Sequence, residues 1–207
     1  MKIGLLGTGK WGKNYVRLLP EYGEFVIMDR HIDPSVDAVV IATPASTHFE
    51  YIKQAANKHI LVEKPMVLSV EEAQEVKKLI GDKVFMVAHQ YCYNDEVRKM
   101  KPKKKISLKH SYQNENPYWE IAPHLFSVAD CLGFKGQIDL NLIKTPEKIR
   151  EWIFDNTKLK ESKTEPLRNE IEHFIYCINN NKTPLTDIEH GLRVIKNIEK
   201  YEKQYAM

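Results

Sequence analysis

The sequence predicts an α/β protein: a doubly wound, parallel Rossmann sheet first, then a reduced α+β part with a small antiparallel sheet. Three observations carry that prediction. Short apolar strands alternate with helical segments up to about residue 95, the pattern of a parallel sheet with crossover helices. A glycine-rich turn, Gly7-Thr8-Gly9-Lys10-Trp11-Gly12, joins the first strand to the first helix. Beyond residue 95 the apolar period becomes two, as in sheets with one covered face.

Each element has a local reason. Lys2 to Leu6 is a short apolar strand, and Asn14 to Leu19 starts a helix that Pro20 or Gly23 ends. Phe25 to Met28 is a second strand, closed by Asp29. Asp37 to Ile41 is continuously apolar and is therefore expected to be covered on both faces. Thr47 to Lys58 reads as a helix with Phe49, Ile52, Ala55 and Ala56 on one side, and Ile60 to Val62 as the next strand. Ser69 and Glu72 form a capping box that opens a helix through Ile80. Val84 to Val87 completes the first sheet.

In the second part, Ile106, Leu108, His110 and Tyr112 alternate with polar neighbours, as do Ile138, Leu140 and Leu142. Between them Ala122 to Leu132 is a helix ended by Gly133. Glu170 to Ile178 carries Ile171, Phe174, Ile175 and Ile178 on one face. Thr186 and Glu189 form a second capping box, opening a helix faced by Leu192, Ile195, Ile198, Tyr201 and Tyr205.

Composition bounds the function. A length of 207 residues accommodates one large or two small domains with a proper core. Hydrophobic residues at 43% and charged ones at 29% fit a folded soluble chain. A net charge of +3 is too mild to argue for nucleic acid or an acidic membrane as partner. The five lysines between Lys99 and Lys105 read as a solvated connector. The apolar stretch after Lys2 is too short for a signal or membrane helix. Cys92, Cys131 and Cys177 are odd in number and scattered, matching neither a disulfide framework nor a zinc spacing. They read as small buried hydrophobes of a protein in a reducing cytoplasm, and no metal site is expected.

Gly7, Gly9 and Gly12 fit G-x-G-x-x-G with a strand before and a helix after. The first permits the tight turn, the second lets a pyrophosphate approach the backbone, and the third lets helix and strand pack closely. The helix N-terminus then offers free amides to a phosphate. Asp29, 22 residues after Gly7, can accept hydrogen bonds from a ribose 2′-hydroxyl, which favours NAD. Arg30 beside it could instead hold the 2′-phosphate of NADP. Thr43-Pro44 follows the third strand at the ligand-binding edge of such a sheet, with His48 placed either to contact cofactor or to begin a helix.

Together with Val62-Glu63-Lys64-Pro65, these segments resemble the glucose-fructose oxidoreductase / inositol dehydrogenase / rhizopine-catabolism family. The resemblance implies that Glu63 and Lys64 lie beside a nicotinamide. Lys64 would orient a substrate hydroxyl and assist proton transfer. Trp119-Glu120-Ile121-Ala122-Pro123-His124 resembles the family segment in which an acidic residue and a histidine lie four apart. That spacing puts Glu120 and His124 on one helix face, and histidine suits the proton-accepting role. Glu120 departs from the aspartate usual there, moving the carboxylate by about an ångström or more. Gln90 and Tyr91 are expected in the substrate pocket, and His173 and His190 in structural or weakly substrate-facing roles.

Two regions are short for the family: only seven residues, Arg30 to Val36, join the second and third strands, and the second sheet is reduced. The expected division is 1–95 for dinucleotide binding and 96–207 for substrate and oligomer contacts. The expected function is hydride transfer between NAD (or NADP) and a hydroxyl or ketone carbon of a sugar or nucleotide-sugar, by a homo-oligomer. The alternative is an inactive dinucleotide- or sugar-binding regulator on the same fold. An intact set of Lys64, Glu120 and His124 argues for the enzyme.

Overall fold

The computed structural model describes residues 1–113 and 117–205, with side chains through residue 202. Strands β1 (Lys2–Leu6), β2 (Glu24–Met28), β3 (Ala38–Ile41), β4 (His59–Glu63) and β5 (Phe85–Ala88) pair in parallel in the order β2-β1-β3-β4-β5. Every residue of β3 is buried, as its unbroken apolar run requires. The chain moves outward from β1 to β2, then returns to place β3 on the other side of β1. This reversal opens a crevice where the loops after β1 and β3 part.

Helix α1 (Gly12–Leu18) ends within a residue of the expected Leu19 and passes into a 3-10 turn, Leu19–Glu21, that contains Pro20 and stops ahead of Gly23. Helix α2 (His48–Gln54) is shorter than the sequence expectation. Its last residues are spent on a turn in which the Lys58 amide donates to the Ala55 carbonyl, delivering the chain directly into β4. Helix α3 (Val70–Leu79) is capped by Ser69, whose Oγ accepts from the Glu72 amide at 3.1 Å. Glu72 answers one residue earlier than a capping box requires, accepting from the Leu68 amide at 3.0 Å.

The second sheet corrects one expectation. Strands β6 (Lys105–Tyr112), β7 (Gln137–Lys144), β8 (Arg150–Phe154) and β9 (Thr157–Lys158) run in the order β7-β6-β8-β9, and β6 and β7 are parallel. Only β6 with β8 and β8 with β9 are antiparallel, so the sheet is mixed. Helix α5 (Tyr118–Cys131) is the crossover that returns the chain to the same end before β7. Alternation reports a covered face and carries no strand direction. Helix α5 also begins four residues before the expected start, with Pro123 inside it. Pro123, the sixth residue of the helix, cannot donate to the Trp119 carbonyl, and the first turn is tied down by Trp119, which donates from Nε1 to Glu202 at 2.9 Å.

Helices α4 (Asp95–Lys99), α6 (Pro166–Asn180) and α7 (Ile188–Tyr205) complete the chain. The second capping box does not form. Thr186 is fully buried and its hydroxyl donates to the Val87 carbonyl at 2.7 Å. Asp187 caps α7 instead, accepting from the His190 amide at 2.8 Å, and Glu189 pairs with Lys77. The Tyr205 side chain lies outside the described residues. The lysine run is only partly a connector: Lys99 pairs within α4, and the amides of Lys103, Lys104 and Lys105 all donate to the Asp155 carboxylate.

Two apolar layers sandwich the first sheet. Ile3, Leu5, Val40, Leu61 and Met86 pack with Tyr15 and Leu18 of α1 and with Leu167, Ile171 and Phe174 of α6. On the other face Val39, Ile41, Ile60 and Val62 pack with α2, α3 and α7, and this core continues into Ile106, Leu108 and Trp152 of the second sheet. The second sheet is thereby held against the carboxyl edge of the first, with α5 between. Among the described residues no helix is long and apolar enough to cross a membrane.

Candidate active site

The glycine turn takes the shape a phosphate cradle needs. Gly7 has a φ of +92°, and a Cβ there would lie 2.5 Å from the Ala42 carbonyl oxygen in the loop after β3. A Cβ on Gly12 would lie 2.0 Å from the Gly7 oxygen, so only glycine lets α1 approach β1 this closely. A Cβ on Gly9 would meet nothing within 4 Å, because that backbone faces open space. Thr8, Gly9, Lys10 and Trp11 are exposed along this rim. Asp29 and Arg30 are exposed just past β2, one register step beyond Leu6 and Met28 and thus level with Gly7.

Below the rim is a cleft of about 460 Å³. Lys10, Trp11, Thr43, Glu63, Lys64, Gln90, Glu120 and His124, all expected from sequence, line it together with Arg150 and Glu170, which were not. Glu63, at the end of β4, is buried and accepts from Tyr15 Oη at 2.8 Å, from Trp11 Nε1 and from the Lys64 amide at 3.2 Å. Burial raises its pKa, against the nearby Lys64 charge and these donors. Glu63 therefore ties the glycine turn and α1 to the strand that carries Lys64.

Lys64 precedes a cis peptide bond to Pro65, and its Nζ donates to the main-chain carbonyl of Glu120 at 3.0 Å. Burial lowers the Lys64 pKa, while the Glu63 and Glu120 carboxylates oppose the shift. The Glu120 side chain itself is exposed at the cleft mouth. One turn on, His124 is buried and its Nδ1 has no hydrogen-bond partner. Burial, then the charge of Lys64, drives the His124 pKa well below the ordinary 6.5. The ring is a neutral imidazole at neutral pH.

Not every expected residue faces the cleft. His48 is buried beneath it, with Nε2 2.9 Å from the Thr43 carbonyl and Nδ1 2.9 Å from the Pro65 carbonyl. It braces the two cleft-bearing loops from behind. Pro44 accepts from the Thr47 amide and hydroxyl and shapes the Thr43 loop. Tyr91 stands behind the wall: its ring lies edge-on to His124 with centroids 5.2 Å apart, and its hydroxyl accepts from Arg150 Nη1 at 2.9 Å. Arg150 also donates from Nε to His110 Nε2 at 3.0 Å, which fixes the guanidinium at the cleft edge.

Glu170 of α6 is the residue sequence reasoning missed most avoidably. It is 1% exposed, and neither carboxylate oxygen has a hydrogen-bond partner. Burial first, then the negative charge of Glu63, pushes its pKa well up. It sits four residues before Phe174 and eight before Ile178, on the apolar stripe of its own helix. A carboxylate on such a stripe is a sequence signal. Arg150 had none: it opens a strand after a loop and belongs to no motif. A separate depression of about 250 Å³ beside Ile80–Phe85 has Asp82, Lys83, Lys182 and Asp187 on its walls but none of these unpartnered groups.

The comparisons with known proteins bear on the first sheet and on the fold. Residues 19–91 match the oxidoreductase family with an NAD-binding Rossmann fold. That stretch, about a third of the chain, is similar to this family. A curated relative, the scyllo-inositol 2-dehydrogenase (NAD(+)) of Bacillus subtilis (strain 168), is 38% identical over 79 residues, 37% of this chain and 20% of that protein. The chain spans about a fifth of the length of the curated relatives it matches. The fold is that of the UDP-N-acetylglucosamine 3-dehydrogenase GnnA from Acidithiobacillus ferrooxidans, at 17% identity over 97% of this chain and 96% of that one, with a TM-score of 0.81. GenD2 from gentamicin A biosynthesis, solved in complex with NAD, gives a TM-score of 0.79 at 12% identity over 100% and 94%.

Proposed function

We propose that the chain transfers a hydride between NAD and a hydroxyl or ketone carbon of a sugar or nucleotide-sugar. The observation that carries this reading is the convergence of Lys64, His124 and the Glu120 carbonyl in one cleft beneath a glycine cradle. The fit of a dinucleotide rests on the open backbone at Gly9, on Lys10 and Thr43 at the rim, and on buried groups of His124 and Glu170 that no protein atom satisfies. Asp29 favours NAD over NADP, with Arg30 as the residue that would hold a 2′-phosphate.

The nicotinamide ring, when bound, supplies the hydride acceptor or donor. Withdrawing hydride from a secondary alcohol carbon requires removal of the hydroxyl proton. His124, held neutral, can accept that proton. Lys64, fixed by the Glu120 carbonyl, can hold the substrate oxygen and stabilise charge that develops on it. Arg150 at the cleft edge is placed for an anionic or hydroxyl-rich substituent. Residues 1–95 then serve the cofactor and 96–207 the substrate, with a homo-oligomer completing the reduced second sheet.

The test is turnover of a panel of inositols, sugars and nucleotide-sugars with NAD and NADP, followed through the absorbance of the reduced nicotinamide. Turnover of at least one, faster with NAD and abolished by Lys64→Ala, is expected. Tight NADH binding with no turnover anywhere on the panel would favour the regulator reading instead.

A further inference from the structure

Behind the cleft wall, three elements bring two thiols and an imidazole together. Cys92 lies in the 3-10 turn Gln90–Tyr93, Cys131 ends α5, and His190 lies in the first turn of α7. A sulfur from each cysteine and a ring nitrogen of His190 all lie within 4.8 Å of one another. All three cysteines are free. Cys92 and His190 are buried, and Cys131 is half-buried.

The surroundings of His190 point to a ligand. Its Nδ1 lies 2.8 Å from Asp130 Oδ2, a carboxylate that Arg193 grips with two further hydrogen bonds of 2.8 and 2.9 Å. Held between the His190 ring and the Arg193 guanidinium, the Asp130 carboxylate accepts from both. Asp130 thereby accepts the Nδ1–H hydrogen bond, on the edge of the ring that lies 3.9 Å from Cys131 Sγ, and leaves Nε2 as the ring nitrogen that can act as an acceptor or ligand. That nitrogen is 3.1 Å from Ser127 Oγ, which in turn is 3.0 Å from Cys92 Sγ. A carboxylate that fixes the tautomer of a histidine beside thiols is the outer shell of many zinc sites. His89 packs edge-on against His190 at 5.2 Å, and its buried Nδ1 has no partner.

We propose that Cys92, Cys131 and His190 bind a soft divalent cation of zinc's class, with Asp130 orienting the histidine and Ser127 Oγ or solvent in the fourth position. Two thiolates and one imidazole are a ligand set zinc accepts in tetrahedral geometry. Sequence spacing hid the site, because its residues come from three elements nearly a hundred positions apart. A bound cation would cross-link α5 to the Gln90–Tyr93 turn and so brace the two elements that carry Glu120, His124 and Gln90. The site lies outside the cleft and does not depend on the hydride-transfer reading.

The test uses the full chain, reduced and stripped with chelator, then titrated with cobalt(II) and back-titrated with zinc. Expected is one equivalent of cobalt with thiolate charge-transfer absorption and tetrahedral d–d bands, displaced by zinc, and a higher melting temperature with zinc. Cys92→Ser and Cys131→Ser should lose the absorption, while Cys177→Ser, in a different environment, keeps it. Asp130→Asn should weaken zinc by about tenfold or more. Cys131→Ser and Asp130→Asn change half-buried positions and keep the test open if Cys92→Ser does not fold. No thiolate absorption in the unaltered chain, or absorption unchanged by Cys131→Ser, would overturn the proposal. So would a chain in which Cys92 and Cys131 form a disulfide with each other once the reductant is removed and no metal is taken up.

Discussion

Lys64 and Glu120 meet across the cleft through a side chain and a main chain: Nζ donates to the Glu120 carbonyl at 3.0 Å. The carbonyl persists whatever residue occupies position 120. Glu120→Gln should therefore reduce kcat/KM by no more than about tenfold, whereas Lys64→Ala should cost about a hundredfold or more. Steady-state kinetics on the best substrate of the panel measures both. Equal losses from the two variants would show that the carboxylate carries the role.

The His124 pKa is held well below 6.5 by burial and the Lys64 charge. A base with a lowered pKa stays deprotonated as pH falls, and loses activity only when pH drops through that lowered value. The acid limb of kcat/KM for alcohol oxidation should therefore lie below pH 6.5. His124→Asn should depress the rate and abolish that limb. A limb at or above 6.5 in the unaltered chain would mean that His124 is not the titrating base.

Glu170 titrates with the opposite sign. Its folded pKa is raised above the ordinary 4.5, so from about that pH upward the folded chain holds a proton the unfolded chain has released. The stability this confers is complete below 4.5 and is lost as pH rises through the raised value. Glu170→Met removes both the ionisation and an unpartnered buried carboxyl. It should raise stability by about 1–3 kcal/mol, more at pH 8 than at pH 5. Thermal melts at the two pH values read the difference, and a variant destabilised equally at both would refute the assignment.

The glycine turn offers a paired contrast. Gly12→Ala forces a Cβ to within 2.0 Å of a backbone oxygen, and should lower stability by about 1–3 kcal/mol or more. Gly9→Ala meets nothing in the protein and should leave the melting temperature unchanged while weakening NADH binding. A Gly9→Ala chain that binds NADH normally would show that this turn does not cradle the cofactor.

The first sheet was legible because continuous apolar runs and a glycine turn both report local chemistry: β3 is buried throughout, and Gly7, Gly9 and Gly12 each have the surroundings their motif positions require. What failed was long-range. Strand direction in the second sheet depends on where α5 delivers the chain, which alternation at Ile106 and Ile138 cannot express. Thr186 does not cap α7 because its hydroxyl partner, the Val87 carbonyl, is 99 residues away in sequence. Of the two readings of His48, the structure shows the helix start: it is the first residue of α2 and braces the Thr43 and Pro65 loops from behind. Glu170 could have been found, since a carboxylate in register with Phe174 and Ile178 has nowhere to go but inward.

The proposed reaction requires Lys64 and His124 to act on one substrate beside the cofactor in this cleft. Single-turnover hydride transfer from a saturating substrate to NAD tests it most directly, in the unaltered chain and in Lys64→Ala. A rapid transfer phase is expected, slowed by about a hundredfold or more in Lys64→Ala while NADH still binds. A transfer phase that survives Lys64→Ala at full rate would contradict it.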